Sequence, residues 1–384
     1  MSSDARIVRI EWAVLEGKRP LSLGKNALLP AHGAVVGVPL CRLTTDDGLV
    51  GVGPSRVDIE VSYEALGSPV SQMFGENGTG ARWLSLDYAL WDLAGRRAGV
   101  PVFQLVSDIL CERPLATSTQ VVDCYDTSFY FDELEPSGDE PQRLAERAVA
   151  SYERGHRAFK VKVGRGGRWM GAAEGMDRDV AVMEAVRGAL GEECTLLADA
   201  NNGYTFNGAR EFLVRTAEAH VGWLEEPFAE DRVLLAALRE WVADEGLDVL
   251  LADCESATTD ESYELAASGV LDVVQCDILQ AGFTGWLRLG PALDAVGVAS
   301  APHHFGLYLG NYLPGHLASV VKNLRYIEWD EALVPGVTLP GYHFSDGRLR
   351  VSGEPGFGIE LDEELFAHAV KASGFDLRIT QGSI

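Results

Sequence analysis

Seven short apolar runs in this 384-residue chain each carry an ionisable side chain at or near their C-terminal end. They are Lys162 in FKVKVG (159–164), Asp199 in CTLLADA (194–200), Glu225 in VGWLEEP (221–227), Glu255 in VLLADCE (249–255), Asp277 in LDVVQCD (271–277), His303 in VASAPHH (298–304) and Glu328 in LRYIEWD (324–330). The successive gaps are 37, 26, 30, 22, 26 and 25 residues. One strand ending in a polar residue means little, because any strand does so as it reaches solvent. Seven in a row, about one strand–helix unit apart, point to side chains converging on one site. Asp199, Glu225 and Glu255 are three carboxylates on consecutive runs, and they suit a hard divalent cation with oxygen ligands, such as Mg²⁺. Asp277 and His303 stand one unit apart. An Asp that accepts the Nδ1 proton of a histidine fixes its tautomer and leaves Nε2 as a base. Lys162 would lie across the site, so a substrate carbon between the two could be reached from both faces.

The elements that must position these residues follow from the intervals. Amphipathic segments such as MDRDVAVMEAVRGAL and DRVLLAALREWVADEG lie between the apolar runs. Continuous apolar strands alternating with helices imply a parallel sheet. With a further run around residues 117–124, the strands number eight, and eight such units close into a barrel whose C-terminal mouth holds the site. Before residue 117 the pattern differs. Residues 6–16 and 35–45 read as antiparallel strands, Asp46-Asp47-Gly48 marks a turn, and WLSLDYALWDLAGRRAG reads as a helix ending at a glycine. The segment 341–384 carries turn signals and is expected to return to the first part of the chain.

Composition narrows the function. The formal net charge of -25 disfavours nucleic acid and anionic membranes as partners. Six cysteines occur without a C-x-x-C pair, the N-terminus has no apolar signal core, and no apolar run reaches membrane-spanning length. A reduced, cytoplasmic homo-oligomer acting on a small molecule is the expectation. Other signals are weaker. The RGGR after Lys162 is no P-loop and reads as a mobile loop. Gly48, Gly51 and Gly53 form no dinucleotide fingerprint. His304 should face away from His303, His316 reads as a satisfied surface or core histidine, and His32 lies in a loop that could line the site.

Taken together, these segments resemble the mandelate racemase group of the enolase superfamily. FKVKVG is similar to its K-x-K strand; LLADANNGY, WLEEPF and ADCES resemble its three metal-ligand motifs. DVVQCDIL with AGFTG resembles the strand of the His-Asp dyad, SAPHHFG the histidine motif, and YIEW the last, Glu-bearing strand. SLDYALWDLAGRRAGVPVFQL and EPGFGIELD are similar to the segments flanking the barrel, so the resemblance spans nearly the whole chain. It implies a modified TIM barrel, (β/α)7β, over residues 117–340, and an α+β capping domain formed by residues 1–116 and completed by 341–384. It also implies one Mg²⁺ on Asp199, Glu225 and Glu255, with Lys162 and His303–Asp277 as bases. Lys160 and Glu328 would hold the substrate carboxylate, and Asn201 and His32 would be substrate contacts.

The implied activity is Mg²⁺-dependent abstraction of the proton α to a carboxylate through an enediolate. The leading reading is dehydration of an acid sugar, an aldonate or aldarate, to a 2-keto-3-deoxy acid. The alternative is a racemase or epimerase of a 2-hydroxy acid using the same bases, and a third is a barrel that binds metal and ligand without turnover. The chain departs from the pattern in places. Cys254 stands where Gly or Asp is usual, which leaves Asp253 as a competitor to Glu255. GRGGRWMGAAEGM and FYFDELEPSGDEP are longer than expected. Asp277 rather than Lys ends the sixth strand, which argues against the muconate-lactonizing and dipeptide-epimerase branches. Residues 18–38, around NALLPAHGAVVG, are expected to form a loop that closes over the mouth, with Leu29 and His32 touching the distal part of the substrate.

Overall fold

A computed structural model describes residues 5–56, 58–110, 119–134 and 141–379. The start of the first expected strand of the parallel sheet, and residues 135–140 of the longer segment after it, lie outside the described residues.

The chain opens with β1 (Ile7–Leu23), β2 (Gly33–Thr45) and β3 (Val50–Pro54), which pair antiparallel in that order. The turn at Asp46-Asp47-Gly48 forms as the sequence suggests, with Gly48 at φ +82°, a value that only glycine adopts at no cost. The helix α1 (Asp87–Ala98) packs on this sheet and stops at Gly99, also left-handed at φ +69°. Gly51 and Gly53 lie against α1, and a methyl group on Gly51 would collide with the Ala89 carbonyl. Their role is close packing of strand on helix. The buried Asp92 on α1 accepts from Val52 N at 2.8 Å and Phe357 N at 2.7 Å, tying α1 to both chain ends.

The segment 18–38 departs from expectation. It is mostly strand, because β1 runs to Leu23 and β2 starts at Gly33. Only 24–32 connect them. Alternation across residues 18–23 was masked by the polar and proline-containing stretch KRPLSL, whose residues are mostly exposed. The hairpin is fastened at several points. Arg19, buried, makes a bidentate pair with Asp330 at 2.7 and 2.6 Å, and Lys18 and Lys25 form isolated bridges to Leu333 and Phe131.

Eight parallel strands follow among the described residues: β4 (Val121–Phe129), β5 (Ala158–Lys162), β6 (Thr195–Asp199), β7 (Val221–Glu225), β8 (Leu250–Asp253), β9 (Val273–Val274), β10 (Ala299–Ser300) and β11 (Ile327–Trp329). They pair in the order β11-β4-β5-β6-β7-β8-β9-β10, and an isolated parallel bridge joins Ser300 to Leu324. Helices connect most of them, including α2 (Gln142–Glu153), α3 (Ala172–Leu190), α4 (Phe206–Arg215), α5 (Arg232–Asp244), α6 (Thr259–Ala267) and α7 (Ile278–Ala295). Strand β5 is buried at all five positions, as a sheet covered on both faces requires. The C-terminal segment divides. Strand β12 (His343–Ser345) pairs antiparallel with β13 (Arg348–Arg350), which pairs antiparallel with β4, whereas β14 (Phe375–Arg378) pairs with β1. No helix among the described residues is long and apolar enough to cross a membrane.

Candidate active site

Lys160 and Lys162 sit two residues apart on β5 and therefore on one face. Asp199 ends β6 and Glu225 ends β7, and strand register sets Lys162 beside Asp199 and Asp199 beside Glu225. Glu255 follows β8 by two residues. Asp199, Glu225 and Glu255 offer oxygens that all lie within 4.8 Å of one another. Asp253 is outside this group; its Oδ1 accepts the Cys254 N–H at 2.7 Å. Residues 253 and 255 would share a face of an extended strand. Cys254, at φ +89°, breaks that alternation and separates them.

The remaining residues close around this triad. Lys160 Nζ is 2.6 Å from Glu225 Oε1, 3.2 Å from Glu328 Oε1 and 3.5 Å from Asp199 Oδ2. Lys162 pairs with Asp199 Oδ2. His303 Nδ1 faces Asp277 Oδ2 at 3.3 Å, and its Nε2 is 3.5 Å from Glu255 Oε2 and 3.8 Å from Glu328 Oε2. Asp277 also caps α7 through Leu279 N and Gln280 N, which fixes its carboxylate while Oδ2 stays with the histidine. Asn201, left-handed at φ +39°, donates its backbone N–H to Asp199 Oδ1 at 2.9 Å and its side chain to Glu226 at 3.0 Å. His32 packs on Tyr130 and Phe305, with ring centroids at 4.8 and 5.4 Å, and the ring of Tyr130 lies 5.3 Å from Lys162 Nζ. Leu29 is 52% exposed and Leu28 47%.

The chain matches the family model described as enolase C-terminal domain-like over residues 143–365. That match covers most of the chain and the whole run from Lys160 to Glu328. The chain belongs to the enolase superfamily. It is similar to a galacturonate dehydratase from Geobacillus sp., solved with D-galacturonate and 5-keto-4-deoxy-D-galacturonate (37% identity, 98% of this chain and 100% of that one, TM-score 0.89). It is also similar to a mandelate racemase/muconate lactonizing protein from Geobacillus sp. Y412MC10, solved with magnesium and tartrate (37% identity, 99% and 98%, TM-score 0.91). Arabinonate dehydratase from Saccharolobus solfataricus is 27% identical, covering 85% of this chain and 88% of the relative. Epimerases are among the relatives as well.

Electrostatics in this enolase-superfamily enzyme are dominated by close opposite charges in a buried space. Burial alone would raise Asp199, but the charges of Lys162 and Lys160 outweigh it and bring its pKa to about 2. Burial, with the neighbouring Asp199 charge, lifts Glu225 well above the ordinary carboxylate range. Glu328 goes the other way: burial opposes, yet Lys160 and His303 pull it well below. His303 is raised to about 9 against its own burial by Glu255, Glu328 and its bond to Asp277. Five carboxyl groups (Asp199, Glu225, Glu255, Asp277 and Glu328) here face Lys160, Lys162, His303 and, at Asp277, Arg56, so oxygen donors outnumber the basic side chains. Glu255 Oε1 and Asn201 Oδ1 are buried without a hydrogen-bond partner. An excess of hard oxygen donors with orphaned acceptors fits a divalent cation.

Some partners escape the motif reading. Trp223 and Gln275 hold Glu225 from below, and Arg19, Asp330, Tyr130 and Phe305 build the wall around His32. The signal for the first pair was present, since Trp223 precedes Glu225 by two positions on β7 and Gln275 precedes Asp277 by two just after β9. RGGR is not a free loop. Arg165 is fully buried, bonds to the Lys162 carbonyl at 3.1 Å, and pairs with Asp179 and Glu133. Glu133 comes from the longer segment FYFDEL, so the two lengthened regions interlock behind Lys162.

His304 and His316 are buried and structural. His304 is buried against Glu328, accepting no role at the triad. His316 is fully buried, accepts Phe103 N–H at 3.1 Å and meets Tyr342 Oη at 2.7 Å. Burial drops its pKa from 6.5 to about 3. A folded-state value below the unfolded one means that stability falls as pH drops from about 6.5 toward 3, because only the unfolded chain takes up the proton. Urea midpoints should decline across that window, and His316→Gln should flatten this part of the decline.

Proposed function

We propose that the protein dehydrates an acid sugar, removing the proton α to its carboxylate and expelling the β-hydroxyl as water. The convergence of Lys162 and His303–Asp277 around three clustered carboxylates carries this reading. The likeness to a galacturonate dehydratase at 37% identity over 98% of the chain supports it. Asp199, Glu225 and Glu255 would hold one Mg²⁺. When bound, such an ion supplies Lewis-acid stabilisation of charge growing on the substrate carboxylate. Lys160 and Glu328 would orient that carboxylate, with Asn201 and His32 contacting the rest of the substrate. One of Lys162 Nζ and His303 Nε2 accepts the α-proton and generates an enediolate. An acid at the same site protonates the departing β-hydroxyl, and the resulting enol becomes a keto-deoxy acid. Glu255 is the third ligand in this scheme, not Asp253, because Asp253 turns to its own backbone.

The architecture we infer is a (β/α)7β barrel over 117–340, closed where Ser300 bridges to Leu324, with the strand ends forming its mouth. The cap, residues 1–116 in this reading, is built on the antiparallel sheet of β1–β3 joined by β14, while β12 and β13 lie beside β4.

The decisive experiment incubates the enzyme and Mg²⁺ with a panel of hexonates, pentonates, aldarates and hexuronates and assays keto-deoxy acids. Hexuronates belong in the panel because of the galacturonate dehydratase relative. A keto-deoxy product from one acid is the expected result. Exchange of the α-proton for deuterium without such a product would favour the racemase or epimerase reading, which the opposed bases and the epimerase relatives support. Neither product nor exchange with any acid would overturn both.

A further inference from the structure

The interior below the carboxylate triad is unusual in being built around one indole. Trp223 is fully buried on β7, two residues before Glu225 and on its face. The neighbours that share its space are mostly small: Ala158, Ala252, Ala299 and Ala301. Two rings then clamp it edge-on. Tyr125 lies at 5.4 Å with planes at 90°, and Tyr326 at 5.8 Å with planes at 75°. An indole so enclosed cannot swing, and its N–H direction is set by packing. That N–H donates to Glu225 Oε2 at 3.1 Å.

A second donor arrives from the far side. Gln275 follows β9 and is fully buried, and its Nε2 reaches the same Oε2 at 2.8 Å. The amide pays for this position: Gln275 Oε1 is buried without any partner. A buried polar atom left unsatisfied needs an explanation. The bond made by the other end of the same amide provides one. Oε2 of Glu225 thus carries two neutral donors, while Oε1 meets Lys160 Nζ at 2.6 Å, and that ammonium is also 3.5 Å from Asp199 Oδ2. Neutral donors aim the carboxylate without cancelling its charge.

We propose that Trp223 and Gln275 are positioning residues that lock the Glu225 carboxylate in the orientation a divalent cation needs. The inference rests on the reading of Glu225 as a metal ligand. Partners of this kind typically contribute about 10–100-fold to metal affinity.

Mn²⁺, titrated alone against the full-length enzyme and followed by electron paramagnetic resonance, tests this without any substrate. Gln275→Met keeps the volume and removes the donor; Trp223→Phe removes the N–H. Each should weaken Mn²⁺ binding by about tenfold or more, with far-ultraviolet circular dichroism and melting temperature near wild type, and the double variant should lose more than either. Should Trp223→Phe not fold, Gln275→Met carries the test by itself. Folded variants that bind Mn²⁺ within about twofold of wild type would overturn the proposal. Glu225→Gln is the control for the reading beneath it. If that variant binds Mn²⁺ as wild type does, Glu225 is no ligand and the metal assignment fails first. If it loses Mn²⁺ while Gln275→Met and Trp223→Phe do not, only the positioning role is wrong.

Discussion

Asp199→Asn is expected to fold normally, to lose high-affinity Mg²⁺ binding and to lose activity by roughly 10³-fold or more, the scale of several kcal/mol of charge stabilisation. The substitution is nearly isosteric. Its side-chain oxygen can still accept the Asn201 N–H that Asp199 Oδ1 holds at 2.9 Å, so the turn after β6 has no reason to open. What disappears is one of three anionic oxygens in a cluster no wider than 4.8 Å. A hard cation with oxygen ligands depends on that charge. Isothermal titration with Mg²⁺ and a rate measurement at limiting Mg²⁺ read the two losses separately. Full activity under limiting Mg²⁺ would sink the assignment of the triad.

The second large effect concerns the two proposed bases. Lys162 ends β5 and His303 follows β10, with the carboxylate triad between them in strand order. A substrate carboxylate gripped by Lys160 and Glu328 would present its α-carbon to Lys162 on one face and His303 on the other. Positioned general bases contribute roughly 10²–10⁴-fold. In deuterium oxide, with an acid that the panel shows to be accepted, His303→Asn should stop exchange of the α-proton in one configuration and spare the opposite configuration. Lys162→Ala should do the reverse. Asp277→Asn should follow the histidine variant, because Asp277 Oδ2 faces only that ring while Oδ1 caps α7 and meets Arg56 at 3.3 Å. Equal loss of both exchanges in either single variant, with metal still bound, would refute the two-base geometry. An Asp277 variant that tracks the lysine variant would break the dyad.

Much of this site was legible because strand chemistry is periodic. An apolar run flanked by helices must be a covered parallel strand, and an ionisable residue at its end must leave the core at the same rim as its neighbours. On that ground alone Lys162, Asp199, Glu225, Asp277, His303 and Glu328 are expected to lie together. The apolar/polar rhythm likewise identified β1, β2 and the turn at Gly48. It could not decide between Asp253 and Glu255, which have the same parity along the chain. The left-handed Cys254 decides it, and nothing in a Cys residue announces a positive φ.

The extent of the hairpin was also beyond the sequence. Residues 18–23 are interrupted by Pro20, and they remain in β1 because β2 pairs with Lys18 and Leu23 at its two ends and Leu333 bridges to Lys18, a tertiary constraint that overrides local preference. Arg165 reads as a surface residue in a glycine-rich turn. It becomes core only because Glu133 and Asp179, distant in sequence, arrive to neutralise it. Sequence by itself determined which side chains gather at the C-terminal ends of the parallel strands, since that depends on period and order along one chain. Tertiary structure alone decided which way each carboxylate turns, since orientation is set by partners such as Trp223 and Gln275 that meet Glu225 only when separate strands pack side by side.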